Sequence, residues 1–178
     1  MRIRTYRSGD IAALVHIQQA AARFDGLEAM SEADLSRLLA ESAARFSYNV
    51  FLITDDDDEL ITWSQGENLE GVEGEIIGYT ILHPTADECA YHFRCHGAVL
   101  PEHRHRGVGH ALVLCAMNHA RMQAIDIINE ARQQALPIYF EVELPANNAS
   151  SQDLASAFEL EESSEPAQPG LRVYRTEL

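Results

Sequence analysis

Hydrophobic and polar positions alternate along this chain with two periods, and the switches between them outline its elements. Met1 to Arg7 alternates residue by residue and reads as a strand; Ser8-Gly9-Asp10 then precedes Ile11, Leu14, Val15 and Ile17, a helical spacing behind a polar cap. Ser31 to Asp34 has the form of a capping box and leads into Leu35, Leu38, Leu39 and Ala43 on one helical face. Asn49 to Thr54 is a short apolar strand. It runs into Asp55 to Asp58, read as a solvated turn because the alternating ligands, central glycine and terminal Glu of a calcium loop are missing. A strand over Leu60 to Trp63 and a Gly- and Glu-rich loop to Gly74 follow. Glu75 to His83 predicts a strand stopped by Pro84, and Tyr91 to Leu100 predicts another. Gly107 to Gln134 is the longest helix, offering Val108, Leu112, Cys115, Ala116, Met122 and Ile125 to one buried face. Leu136 to Leu144 reads as a strand, Ala149 to Phe158 as a short helix and Leu171 to Thr176 as a last strand, with residues 159–170 a mobile loop rich in Glu and Pro. Strands and helices mix without strict alternation, so the expected class is α+β, or mixed α/β, around one central sheet.

Length and charge narrow the chemistry. The 178 residues suit one domain over 1–178, with no linker composition inside it. The first residues lack a basic stretch followed by a long apolar run, and nothing approaches the roughly 20 apolar residues of a membrane span, so a cytoplasmic location is expected. A net charge of -15 argues against nucleic acid or an anionic membrane as partner, since both require a basic face, and favours neutral or cationic substrates. All thirteen basic residues are arginine. Without lysine there is no Walker A lysine, Schiff base or lysine general base. An acidic, lysine-free composition suits a halophilic or high-GC bacterial source. Cys89, Cys95 and Cys115 are odd in number and lack CxxC spacing, which suggests buried small side chains rather than a disulfide or zinc framework. His83, His92, His96, His103, His105 and His110 crowd one stretch, but a strand puts His92 and His96 about 13 Å apart, too far to share one tetrahedral ion, so no metal is expected.

One segment carries most of the functional signal: Cys95-His-Gly-Ala-Val-Leu-Pro-Glu-His-Arg-His-Arg-Gly-Val-Gly109, which ends an apolar strand and opens the long helix. Glycines at i and i+2 let the backbone approach a ligand, and a first helical turn presents unpaired N–H groups with a favourable dipole, so the turn is suited to an anion. Arg94, Arg104 and Arg106 against Glu102 make residues 91–111 locally positive inside an acidic chain. The GxGxxG spacing of a dinucleotide site is absent, and a P-loop lacks its lysine.

Arg104-His-Arg-Gly-Val-Gly109, preceded by Val99-Leu-Pro101, resembles the R/Q-x-x-G-x-G/A motif of the GNAT acetyltransferase superfamily, and the order of elements is similar over nearly the whole chain. The resemblance implies a mostly antiparallel mixed sheet of six to seven strands, with helices on both faces, splayed between the fourth and fifth strands. It implies acetyl-CoA, or another acyl-CoA, as co-substrate and a primary amine of a small molecule or peptide, cationic by preference, as acceptor. Amides from Arg104 through His105, Arg106, Gly107, Val108 and Gly109 to His110 would hold the pyrophosphate. The strand ending at Ala98 and Val99 would part from its neighbour to admit the pantetheine arm, and Asn147 or Asn148 would touch the cofactor. Ala157-Phe158 resembles the closing Gly-Phe pair. Where many members carry a Tyr four residues earlier, this chain has Asp153. Tyr139, Ser150 or Ser151 are then the candidates to assist the leaving thiolate. For a base, His92, Arg94 and His96 share one strand face and Glu141 and Glu143 share another; position beside the thioester selects His96 or Glu141. The competing expectation is a GNAT-like acyl-CoA-binding or partner-binding module without turnover. Phe24, Phe46 and Trp63 are candidates to line an acceptor pocket, and a homodimer through sheet edges is expected from the family.

Overall fold

Seven strands form one sheet in the computed structural model, which describes residues 1–45, 49–55, 74–165 and 167–178. The strand expected at Leu60 to Trp63, the loop after it, Asp56 to Asp58 of the acidic turn, and Phe46 and Trp63 lie outside the described residues. In chain order the elements are β1 (Arg2–Thr5), α1 (Ile11–Asp25), α2 (Glu32–Arg45), β2 (Val50–Asp55), β3 (Glu75–Ala86), β4 (Tyr91–Val99), α3 (Val108–Gln134), β5 (Ile138–Pro145), α4 (Ala149–Ala157), β6 (Glu161–Glu162) and β7 (Leu171–Glu177). The strands lie in the order β1-β2-β3-β4-β5-β7-β6, and every neighbouring pair is antiparallel except β4 and β5. Among the described residues, no helix is long and apolar enough to cross a membrane.

Alternation of side chains along the strands gives the sheet two apolar faces. Ile77, Tyr79 and Ile81 of β3 and Leu52 of β2 pack with Leu14 and Ile17 of α1 and with Leu35 and Leu39 of α2. Phe93 and Cys95 of β4 and Phe140 and Val142 of β5 pack with Val113, Ala116, Met117 and Ala120 of α3. The Ser31 hydroxyl accepts the Asp34 amide at 3.1 Å and starts α2, and Gly26 in the left-handed region (φ 68°) ends α1.

Four expectations need correcting, the first being that the three cysteines are buried: Cys95 is, but Cys89 is exposed and Cys115 half-buried. β3 does not stop at Pro84 but continues to Ala86, with Pro84 opposite Phe93. The Leu82 amide points toward β2, where it meets the Asn49 carbonyl. Pro84, two residues on, has its nitrogen on the same edge, past the last β2 pair, so no ladder bond is lost. Met122 and Ile125 are each 68 % exposed rather than buried. The buried stripe of α3 instead runs through small residues, Ala116, Ala120, Ala124 and Ala131, which let the helix sit close to the sheet. Finally, the segment expected to be a loop over 159–170 contains β6, which pairs Glu161 with Arg175 and Glu162 with Tyr174.

Candidate active site

The turn between β4 and α3 is held from below and left open above. Leu100, almost fully buried, donates its amide to Ile77, and Pro101–His103 forms a short 3-10 turn in which the His103 amide reaches the Leu100 carbonyl. His105 (φ 61°) and Gly107 (φ 81°) then adopt left-handed backbone angles that swing the chain into α3. Gly107 is the N-cap and has no side chain to offer, so nothing caps the helix. Among the described residues, the amides from His105 to His110 meet no acceptor, and the first such bond is from Ala111 to Gly107. Arg104 is excluded from this open run, since its amide is turned to the Pro101 carbonyl at 3.3 Å. Its guanidinium points away too. It donates to both carboxylate oxygens of Asp25 (2.7 and 2.9 Å), places Nε 3.3 Å from the Val99 carbonyl, and lies over the Phe24 ring. Phe24, considered for an acceptor pocket, is thereby an exposed platform for Arg104. Asp25 sits at the negative end of α1, a poor place for a carboxylate without a cation beside it.

β4 and β5 pair only from Tyr91 opposite Ile138 to Cys95 opposite Val142. Beyond that rung the strands separate, and a cavity of about 500 Å³ opens between them. Its wall includes Ala98, Val99, Arg104, His105, Gly107, Gly109 and His110, together with Asn148 and Ser150 from the start of α4. Val108 is buried in the core, and neither it nor the exposed Arg106 and Asn147 lines the cavity. Asn148 is the N-cap of α4, its side chain accepting the Ser150 amide at 3.0 Å. Asp153 is exposed at the cavity wall.

The first rung after the strands part would set His96 opposite Glu143, and here only side chains meet: His96 Nδ1 lies 3.3 Å from Glu143 Oε2. Both line the cavity. The histidine bond holds the Glu143 carboxyl below the ordinary carboxylate range, against the opposing effect of burial. Burial pushes the neighbouring Cys95 thiol up to about 11, which makes it a hydrogen-bonding neighbour of Thr80 (2.9 Å) and not a nucleophile.

Glu141 faces the same side of β5 as Glu143 but is 1 % exposed and does not line the cavity. It accepts His92 Nδ1 at 2.8 Å and Arg94 Nε at 2.9 Å; Arg94 also reaches Glu165, and His92 Nε2 reaches Asp87. Donor atoms of His92, Glu141 and Glu165 come within 4.8 Å of one another, and the cation between the two carboxylates is the Arg94 guanidinium. Tyr139 lies at the paired end of β5, roughly 10 Å along the strand from the fork, with Arg175 4.4 Å from its ring. The structure thus brings His96 and the turn to one place and leaves the candidates Glu141 and Tyr139 outside the cavity; the sequence offered Glu143 without selecting it and gave no sign of Asp25. The Glu143 signal was available, two residues from Glu141 on the same face; Asp25 pairs with a residue 79 positions away and has no local signature.

A mixed sheet with one parallel pair that forks over an uncapped helix start defines the class of fold. Residues 47–144, more than half of the chain, match the family described as "Acetyltransferase (GNAT) domain", and the chain belongs to that family. Solved structures of similar fold include the ribosomal-protein-S18-alanine N-acetyltransferase of Escherichia coli (18 % identity, 99 % of this chain and 92 % of that one, TM-score 0.56). The yncA protein of Salmonella typhimurium, solved with its cofactor acetyl-CoA, is similar at 17 % identity, 99 % and 92 % coverage and TM-score 0.58. The PaiA N-acetyltransferase of Thermoplasma acidophilum, in complex with coenzyme A, gives 11 %, 99 %, 98 % and 0.57. No curated protein sequence matches this chain.

Proposed function

We propose that this chain transfers an acyl group, acetyl by preference, from acyl-CoA to a primary amine by direct attack. The observation that carries the reading is a single cavity that joins the uncapped start of α3 to the β4–β5 fork and to the His96–Glu143 pair. The open amides from His105 to His110 and the positive end of α3 fit a pyrophosphate. Residues 96–99 of β4 pair with β3 but have no β5 partner, so the backbone groups on their open edge, the Val99 carbonyl excepted, are left to bond the amides of a pantetheine arm and to meet the thioester oxygen. With His96 Nδ1–H donating to Glu143, the neutral ring keeps its Nε2 lone pair for the proton of the attacking amine.

The acceptor side supports a cationic amine, from a small molecule or a peptide. A second groove meets the cavity at His96, Met30 and Glu28 and carries Asp34 and Glu41, with Arg37 neutralising Asp34 at 2.6 Å. His96→Ala is expected to lower kcat about 100-fold while leaving KM for acetyl-CoA within twofold, measured by thiol release over a panel of amines. Unchanged turnover contradicts the assignment of the base. Asp153, in place of the tyrosine of many family members, favours the competing reading of a CoA-binding module without turnover; tight acetyl-CoA binding with no thiol release from any amine supports that reading instead.

A further inference from the structure

We propose that the Ser151 hydroxyl is the donor that meets the sulfur of the departing thiolate, a role that rests on the acyl-transfer reading above. Ser151 lies in the first turn of α4, is 5 % exposed and lines the same cavity as Cys95 and Val142, the last paired rung before the β4–β5 fork. Its backbone is committed, the amide bonding the Asn148 carbonyl at 3.0 Å, but its hydroxyl has no hydrogen-bond partner among the described residues. Unpaired and open to the cavity, unlike the enclosed unpaired Gln123 Oε1, this hydroxyl is available to an acceptor that enters there. The acceptor atom to be expected at the fork is sulfur, because the thioester must sit where His96 can serve the attacking amine.

Charge favours the same assignment. As the amine nitrogen bonds to the acyl carbon and its proton passes to His96, the C–S bond breaks and its electron pair stays on sulfur. The start of α4 presents the positive end of its dipole to that anion. The Ser150 and Ser151 amides there are already taken by Asn148, so the side chain of Ser151 is what remains to donate. A serine is too weak an acid to give up its proton; it bonds the thiolate, which leaves as the anion with a thiol pKa of roughly 8.5 and needs no more than stabilisation. Ser150 is less buried, and the exposed Asp153 adds like charge, so neither matches.

The test uses the full chain and CoA itself. Thiolate absorbance of bound CoA is followed against pH in the wild type, Ser151→Ala and Ser151→Thr. The expected result is an ionisation midpoint about one pH unit higher in Ser151→Ala, restored by Ser151→Thr, with kcat reduced about tenfold and KM for acetyl-CoA unchanged in the alanine variant. CoA bound to Ser151→Ala with the wild-type midpoint and kcat overturns the proposal while leaving the acyl-transfer reading intact. Failure of the wild type to bind CoA at all overturns both.

Discussion

Glu143 is informative at the scale of single residues because its carboxyl is held low by the His96 bond. A carboxylate whose folded-state pKa is depressed stabilises the fold above its unfolded pKa and loses that contribution as pH falls through the folded value. The stability gap between wild type and Glu143→Gln is therefore expected to be largest near neutral pH and to close as pH drops through the acid range, read from thermal melts. A gap that is constant with pH contradicts the His96–Glu143 hydrogen bond. The same variant removes the group that orients His96, so kcat should fall about tenfold, less than for His96→Ala. Glu141, two residues away, has a different character despite its equal promise in the sequence. Strand alternation placed both on one face, but nothing local said that Glu141 would be sealed between His92 and Arg94.

At the scale of elements, the β4–β5 pair does two jobs in succession. From Tyr91 to Cys95 it is a paired parallel ladder bearing the His92, Arg94 and Glu141 network, and from His96 onward it is the wall of a cavity. Breaking the network is a stability experiment. Glu141→Ala leaves His92 facing only Asp87 and is expected to cost about 3 kcal/mol, with acetyl-CoA affinity unchanged in the folded fraction. Equal melting temperatures for this variant and the wild type contradict the network's structural role. Elements with regular patterns were legible in the sequence: α1, α2, β2, β4, β5 and β7 lie within a few residues of where periodicity put them. The misses have physical causes. Ile125 is nine residues from Ala116, about two and a half turns, so the two point in opposite directions although both are apolar. Large side chains drew attention from the alanines that face the sheet. β6 has two residues, too few for any period to show.

Across the whole molecule, an acidic protein holds a locally positive stretch at the mouth of its cavity. The net charge is -15, yet Arg104 precedes the open amides of the α3 turn and Arg106 lies among them, with Arg104 itself neutralised by Asp25. In the proposed acyl-CoA reading, backbone N–H groups and the helix dipole, with the exposed Arg106, are thus left to hold the anion. This part of the site was legible because glycine spacing and an uncapped helix start are local properties of the chain. The partners that tune it, Asp25 for Arg104 and Glu143 for His96, come from elsewhere in the fold and appear only when the chain is closed.

Calorimetric titration of acetyl-CoA and CoA into the wild type and Gly109→Glu tests the central claim most directly. A Cβ at Gly109 meets only Leu154, at 3.9 Å, so the backbone there has room for a side chain, while a carboxylate opposes the pyrophosphate by bulk and charge. The account predicts micromolar binding by the wild type, a rise in its melting temperature with ligand, and at least 100-fold weaker binding by a variant that melts within a few degrees of the unliganded wild type. Equal affinity in the two proteins contradicts the assignment of the α3 turn as the acyl-CoA site.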